Sequence, residues 1–168
     1  MTDGALLDTG LDPARVQRIV TLHDDYYRRA WGFGDAFRDG VAGALADFAA
    51  RYDASGDCTW VVLQDGVVEA SLTIDGHDPA ATATAGAHLR WFVASDALRG
   101  QGWGARLLDA AVGFCRARGY PEVWLWTFAG LEPARHLYEK AGFVLAEARR
   151  GRQWGSEVEE RRYVLTLD

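Results

Sequence analysis

The chain has 168 residues, of which 49% are hydrophobic and 25% are charged, a composition that fits one globular domain with its own core. Its net charge of −6 argues against nucleic acid as the main partner, because phosphate binding needs a basic surface. No apolar run approaches the ~18 residues of a membrane span, and no secretory signal is visible, so we expect no membrane partner. Cys58 and Cys115 lack the spacing of a disulfide framework or a metal site. We therefore expect free thiols, no bound metal and a cytoplasmic location.

Two amphipathic helices are predicted in the first third of the chain. Asp12 followed by Pro13 is typical of a helix start, with the aspartate as N-cap. Apolar residues at three- and four-residue spacing continue this helix to about Ala30. The same spacing predicts a second helix over residues 36–51, with Asp35 as its cap.

The pattern then changes to strands and shorter helices. Asp65-Gly66 lies between two runs rich in β-branched residues and predicts a tight hairpin. Residues 75–86 predict a longer loop. Strands are predicted at 58–63, 66–74, 87–94, 122–128, 143–149 and 159–167, and further helices after residue 104 and within 131–143. This order predicts an α/β domain with a mixed sheet, in which the middle strand–helix–strand unit is a parallel crossover.

Residues 99–104 read Arg-Gly-Gln-Gly-Trp-Gly, at a point where a strand leads into a helix. The first amide N–H groups of a helix have no partner inside it and form a site for anions. Glycines at 100, 102 and 104 would let phosphate oxygens approach the main chain, and Arg99 can add a charged contact. The spacing differs from the dinucleotide fingerprint and from the P-loop. It predicts a pyrophosphate site, and the alternative is a simple glycine-rich turn.

Two segments resemble motifs of the GCN5-related N-acetyltransferase (GNAT) superfamily. The run "RGQGWG" resembles its R/Q-x-x-G-x-G/A element, and "LEPARHLYEKAGF" resembles its later A-x-x-L-Y-x-K-x-G-F segment. Stretches such as "DGVAGALADFAARYD" and "QWGSEVEERRYVLTL" also resemble the acetyltransferase domain that some bacterial proteins carry behind a MarR-type regulator. The resemblance implies the GNAT fold: a mixed, mostly antiparallel sheet of about six to seven strands with about four helices, as one domain over residues 1–168.

The resemblance also implies acetyl-CoA as the cofactor. Its pyrophosphate is expected on Arg99, Gly100, Gln101, Gly102, Trp103 and Gly104. Its pantetheine arm is expected along Phe92 and Val93, on a strand that splays away from the strand at 123–127. Leu131 stands where many relatives have an asparagine that helps to hold the cofactor, so we expect that contact to be absent.

For the chemistry, the resemblance implies direct attack of an amine on the acetyl group in a ternary complex. It assigns Tyr138 as general acid, because a phenol can protonate a departing thiolate. The alternative is an aromatic residue on the inner face of a helix. We select His88 as the base, because it alternates with Arg90 and Phe92 along its strand. The alternative for His88 itself is a partly exposed histidine at the start of a strand, and His23, Glu69, Glu122 and a water relay remain alternatives for the base.

The acceptor site that the resemblance implies is walled by the first two helices and by the loop between the last two strands. Its residues are Tyr26, Tyr27, Trp31, Phe33, Gln153 and Trp154. Aromatic walls suit an apolar body or a cation held against ring faces. The alternative for each residue is packing in the core. This alternative applies least to Trp154, which lies in a polar loop. Arginines 149, 150 and 152 are either a solvated face or a means of selecting a carboxylate.

The predicted function is therefore an N-acetyltransferase, an acyltransferase that acts on the primary amine of a small molecule. One alternative is a protein lysine or N-terminal acetyltransferase. A second alternative is a non-catalytic module that senses acyl-CoA. Formation of a homodimer stays open.

Overall fold

One sheet organises the part of the chain that the computed structural model describes, residues 4–79 and 86–168. Within these residues it has seven strands: β1 (Leu6–Thr9), β2 (Cys58–Gln64), β3 (Val67–Asp75), β4 (Ala87–Ala94), β5 (Glu122–Phe128), β6 (Val144–Gly151) and β7 (Val158–Thr166). The helices are α1 (Pro13–Trp31), α2 (Asp35–Ala50), α3 (Trp103–Ala117) and α4 (Glu132–Lys140), with a 3₁₀ turn at Asp96–Leu98. The order across the sheet is β1-β2-β3-β4-β5-β7-β6. Among the strands of the described residues, only β4 and β5 pair in parallel, so the predicted mixed, mostly antiparallel sheet is confirmed.

The first two helices lie where the sequence places them, with one difference at a cap. Asp12 caps α1, since its carboxylate accepts a hydrogen bond of 2.8 Å from the backbone N–H of Arg15. Asp35, by contrast, is not the cap of α2, and that prediction is wrong. Gly34 occupies the cap position, and the carboxylate of Asp35 accepts a hydrogen bond of 2.9 Å from Arg28 on α1 instead.

The strand predictions follow local turn chemistry. Asp65 and Gly66 have φ of 52° and 77°, so both adopt the left-handed conformation that a two-residue hairpin between β2 and β3 needs. Strand β1 is not predicted from the sequence, because a four-residue edge strand with every residue exposed shows no alternation of burial. Of the predicted loop at 75–86, residues 80–85 lie outside the described residues.

The helices cover the sheet on both faces. On one face α3 and α4 pack over a core that includes Leu72, Leu107 and Leu125. On the other face α1 and α2 pack over a smaller core that includes Ile19, Phe48 and Val61. A third, mostly aromatic cluster joins the α1–α2 turn to the end of β5.

The centre of the sheet is split between β4 and β5. These strands pair only at Ala87 with Val123 and at His88 with Trp124. Beyond this point β4 bulges, with Trp91 at a φ of 51° and its carbonyl accepting a hydrogen bond of 3.1 Å from the Ser71 hydroxyl. The bulge turns β4 away from β5. The predicted parallel crossover therefore opens a gap at the carboxyl ends of its two strands, where ligands bind in open α/β sheets.

Candidate functional site

A cavity of about 830 Å³ opens at the gap between β4 and β5. It is lined by the end of β4 and the turn after it, the first residues of α3, and the exposed side of α4. Phe92, Val93 and Arg99 line it, as the sequence analysis predicts for a cofactor site. The volume lies within the range of ligand and cofactor pockets.

The first turn of α3 faces this cavity with free backbone groups. Gly102 is the N-cap and has no side chain to offer, and the first backbone bond of the helix runs from Arg106 N–H to Gly102 C=O at 3.2 Å. The N–H groups of residues 103–105 therefore have no partner within the helix. A Cβ added at Gly100 or Gly102 would meet no atom within 4 Å, and both residues have a φ of 76°, which favours glycine. The result is an open cradle suited to an anion.

The side chains of the other residues in the 99–104 run add less to the cradle, although Arg99, Trp103 and Gly104 also line the cavity. We expected Gly104 to make room for a phosphate. A Cβ at this position would lie 2.8 Å from Leu137 Cδ1, so the glycine also makes room for a side chain of α4. The side chain of Gln101 donates to Ala97 C=O at 3.2 Å and does not line the cavity. Trp103 is buried, with the guanidinium of Arg106 over its ring. Arg99 is 80% exposed and pairs with Asp96 at 2.7 Å. The main chain therefore provides most of the cradle.

A second, smaller cavity of about 180 Å³ lies at the split itself, between residues 88–92 of β4 and residues 125–128 of β5. Its wall includes residues of α1 and α2, the bulged part of β4, the end of β5, α4 and the β6–β7 loop. Tyr27, Phe92, Leu131 and Ala134 line both cavities. The two cavities therefore adjoin at these four side chains.

Tyr138 lies on α4 in the wall of the smaller cavity, only 5% exposed. Its ring packs 6.1 Å from that of Phe92, between ring centroids, beside Phe143 and Tyr163. Burial raises the pKa of its phenol well above the ordinary value, and Tyr27 adds to that rise. The hydroxyl thus keeps its proton through the neutral range, as a proton donor must.

His88 lies on β4 and also lines the smaller cavity. Its Nδ1–H donates a hydrogen bond of 2.6 Å to Asp78 Oδ2, and its ring stacks on Trp124 at 3.8 Å. Because Nδ1 carries the proton, Nε2 of the neutral ring is an acceptor. Burial lowers the pKa of His88, and the hydrogen bond that its ring donates to Asp78 opposes that change. A neutral imidazole with a fixed tautomer can accept a proton.

Of the other side chains predicted as possible bases, His23 lies at the smaller cavity, whereas Glu69 and Glu122 do not. His23 lines the smaller cavity, donates from Nδ1 to Ile19 C=O at 2.8 Å, and has its pKa lowered to about 4 by burial. Glu69 accepts from Ser95 and pairs with Arg18, and it lines neither cavity. Glu122 lines neither cavity as well. The geometry therefore favours the two histidines.

The predicted acceptor residues divide into those that line a cavity and those that support its wall. Tyr27, Gln153 and Trp154 line the smaller cavity, and Tyr26 lines the larger one. Trp31 and Phe33 line neither. Phe33 is buried against Tyr27 and other rings of the aromatic cluster, and the Trp31 ring occupies the space that a Cβ at Gly130 would need. We therefore revise the predicted role of Trp31 and Phe33 from contact with the acceptor to support of its wall.

Sequence reasoning missed a buried glutamate that holds the β6–β7 loop. Glu160 accepts hydrogen bonds of 3.0 Å from Arg149 Nε and from the backbone N–H of Gln153. Burial alone would raise the pKa of Glu160, but these hydrogen bonds outweigh it and lower the pKa. A Cβ at Gly151 would overlap the Glu160 carboxylate, so the glycine leaves room for this contact. No local sequence pattern predicts this role of Glu160, because the pairing of β6 with β7 determines which residues it contacts.

A network of charges beside His88 was missed as well. Asp75, at the end of β3, accepts hydrogen bonds from both Nη atoms of Arg51 at 2.8 and 2.6 Å, and from Arg90 Nη1 at 3.1 Å. Asp78 Oδ2 lies 3.8 Å from Arg90 Nη1. The available signal was an aspartate that ends a run of buried strand residues in β3.

The remaining expectations concern thiols, metals and membranes. Both cysteines are free, and burial raises the pKa of Cys58 to about 11 and that of Cys115 to about 12. Within residues 4–79 and 86–168, no group of histidine, cysteine or acidic side chains is arranged to hold a metal ion. In the same residues, none of the helices combines the length and the apolar character that a membrane span requires.

Comparison with known proteins identifies the family. The model of the acetyltransferase (GNAT) family matches residues 16–143. The fold is similar to that of YncA from Salmonella typhimurium with its cofactor acetyl-CoA, at 17% identity and a TM-score of 0.74, covering 99% of this chain and 95% of that one. It is also similar to that of ribosomal-protein-alanine N-acetyltransferase from Brucella melitensis, at 15% identity and a TM-score of 0.74, covering 96% of this chain and 99% of that one. The fold is similar, too, to that of a candidate phosphinothricin N-acetyltransferase, at 16% identity and a TM-score of 0.76, covering 98% of this chain and 99% of that one. No curated protein matches the chain significantly. Since the family model covers most of its length, the chain belongs to the acetyltransferase (GNAT) family.

Proposed function

We propose that this chain binds acetyl-CoA in the larger cavity and transfers the acetyl group to the primary amine of a small molecule bound in the smaller cavity. The observation that carries the proposal is the contact between the two cavities at the split between β4 and β5. One cavity offers an anion cradle, and the other contains a protonated phenol and a neutral imidazole. Both reactants can therefore occupy the protein together.

The larger cavity fits the chemistry of coenzyme A. The open space at Gly100 and Gly102 and the N–H groups of residues 103–105 suit the oxygens of a diphosphate, with Arg99 at the edge. Phe92 lies in the bulge of β4 and Val93 follows it, where this strand no longer pairs with β5, and their backbone is suited to hold the pantetheine arm. Leu131 supplies no side-chain hydrogen bond there. When bound, acetyl-CoA supplies an acetyl group activated as a thioester.

The residues of the smaller cavity would move the protons. His88 Nε2 accepts the proton that an ammonium group must lose before it can attack, while Asp78 holds the opposite side of the ring. Tyr138 holds a proton at its hydroxyl and can donate it to a thiolate that leaves. Burial of both side chains excludes bulk water from these transfers.

Two alternative functions are a protein acetyltransferase, which differs in the acceptor, and a sensor of acyl-CoA, which catalyses no reaction. A solved structure of similar fold is a ribosomal-protein-alanine N-acetyltransferase. A cavity of about 180 Å³ favours a small molecule over a protein as the acceptor. Among protein acceptors, a chain terminus would fit this cavity best. A sensor of acyl-CoA would not need Tyr138 and His88 in one cavity. The relation to domains fused to MarR-type regulators, the single-domain organisation, the cytoplasmic location and a homodimer stay predictions.

The test is release of coenzyme A thiol when the protein is mixed with acetyl-CoA and a panel of small amines and N-terminal peptides, with the product mass measured. We expect acetylation of small amines above the blank. Preference for peptides would support the protein acetyltransferase. Tight binding of acetyl-CoA with no release above the blank for any acceptor would support the sensor.

A further inference from the structure

We propose that the acceptor is an amine of amino-acid size that carries a carboxylate on an apolar or aromatic body, and that Arg90 binds this carboxylate. The inference deepens the proposed function and rests on it, because it assigns the smaller cavity to the acceptor. It concerns which amines enter, not how the acetyl group moves.

The charge of the cavity wall is the first argument. Among the described residues that line the smaller cavity, Arg90 is the one side chain with a formal charge at neutral pH, since His23 and His88 have lowered pKa values. No aspartate or glutamate belongs to this set. A polyamine or another polycation would bury several ammonium groups without a counter-charge, which is costly. The wall therefore disfavours polycations.

The geometry of Arg90 is the second argument. Its guanidinium lies over the Trp91 ring, 4.1 Å from the centroid, and donates from Nη1 to Asp75 at 3.1 Å. Asp75 already accepts two hydrogen bonds from Arg51, and the nearest oxygen of Asp78 is 3.8 Å away. A guanidinium has five N–H donors in a fixed plane, so Arg90 is held in place with donors left for another acceptor. A carboxylate matches that planar donor pattern.

The size and surface of the cavity are the third argument. A volume of about 180 Å³ lies below the range typical of drug-sized ligands, roughly 300–1,000 Å³. Rings of Tyr27, Trp126, Phe128 and Trp154 form much of the wall. Such a surface suits one apolar or aromatic group. Together with Arg90, it describes a molecule with an amine, a carboxylate and one hydrophobic side chain.

The experiment compares pairs of amines that differ only in the carboxylate. Phenylalanine against phenethylamine, and leucine against isoamylamine, are assayed for kcat/KM by thiol release with acetyl-CoA, with spermidine as the polycation. Because hydrogen bonds to a charged group contribute more than neutral ones, we expect the acid-bearing amines to be preferred by about 10- to 100-fold. In Arg90→Met this preference should fall to near unity. Arg90→Lys should keep an intermediate preference, because it retains the charge without the fork.

The matched control is Arg116→Met, an exposed arginine at the end of α3 that lines neither cavity and should leave the preference unchanged. The preference is a ratio, so a partial loss of folded enzyme does not alter it. Binding of each amine in the presence of coenzyme A is measured by calorimetry as a second readout. Equal use of amines without a carboxylate, preference for spermidine, or an unchanged preference in Arg90→Met would overturn the inference alone. Carboxylate-dependent binding without turnover would contradict the proposed function alone, and absence of both would overturn both.

Discussion

Asp75 holds two arginines with one buried carboxylate, and its replacement by asparagine gives a sharp test of the charge network. In Asp75→Asn, Arg51 loses a bidentate partner at 2.8 and 2.6 Å, and Arg90 loses its contact at 3.1 Å. Removing one member of a fully buried ion pair costs about 3–5 kcal/mol. Arg51 and Arg90 are 28% and 20% exposed, so water partly solvates the charges left behind. We expect a loss of about 2–3 kcal/mol, and hence a fall in Tm of about 4–12 °C.

The same substitution should change how stability depends on pH. Burial alone would raise the pKa of the Asp75 carboxyl, but Arg51, the backbone N–H of His77 and Arg90 outweigh it and lower the pKa. A lowered pKa in the folded state means that the stabilisation is present above the unfolded-state pKa and is lost as pH falls through the folded-state pKa. The gap in unfolding free energy between parent and Asp75→Asn should therefore be largest near neutral pH and should narrow under acid conditions.

The assay is urea unfolding followed by tryptophan fluorescence between neutral and acid pH, which the seven tryptophans make convenient. Asp47→Asn is the control, since Asp47 is an exposed aspartate on the neighbouring helix α2 and undergoes the same chemical change. Equal midpoints for Asp75→Asn and the parent at neutral pH would refute the assigned magnitude. A difference that does not vary with pH would refute the assigned charge.

Three further substitutions, one of them with a matched control, test the site itself. Tyr138→Phe should lower kcat by roughly 100-fold or more, with little change in the Kd of acetyl-CoA, and an equal fall in binding would point to a packing role instead. Gly102→Val fills the open cradle and forces a branched residue to a φ of 76°, so calorimetry should show loss of acetyl-CoA binding. Gly113→Val, at a helical glycine with open space around it, should bind normally. Asp78→Asn removes a group that raises the pKa of His88, so the acid limb of kcat/KM should move to lower pH, and an unmoved limb would argue against His88 as the base.

Local signals in the sequence predicted the elements well where a few neighbouring residues determine the backbone. The cap at Asp12 and the turn at Asp65-Gly66 are of this kind, and so is the glycine cradle at the start of α3. The edge strand β1 was missed, because four exposed residues carry no pattern of burial.

Features that depend on distant pairing could not be predicted. Asp75 meets Arg51 across 24 positions, and Trp31 packs against the loop that contains Gly130, far along the chain. Whether an aromatic residue lines a cavity or supports its wall depends on such contacts. This explains why Tyr27 and Trp154 lie at the smaller cavity while Phe33 lies behind it.

The attachment of the β6–β7 loop has a consequence for how acceptor preference can diverge. The loop is held by the carboxylate of Glu160 and by the Trp154 ring, which packs 5.3 Å from that of Phe128, whereas the anion cradle belongs to α3. Changes between Gly151 and Val158 can therefore remodel the entrance for incoming amines and leave the handling of the acyl donor untouched. Selectivity and donor recognition are thus separately adjustable in one small scaffold.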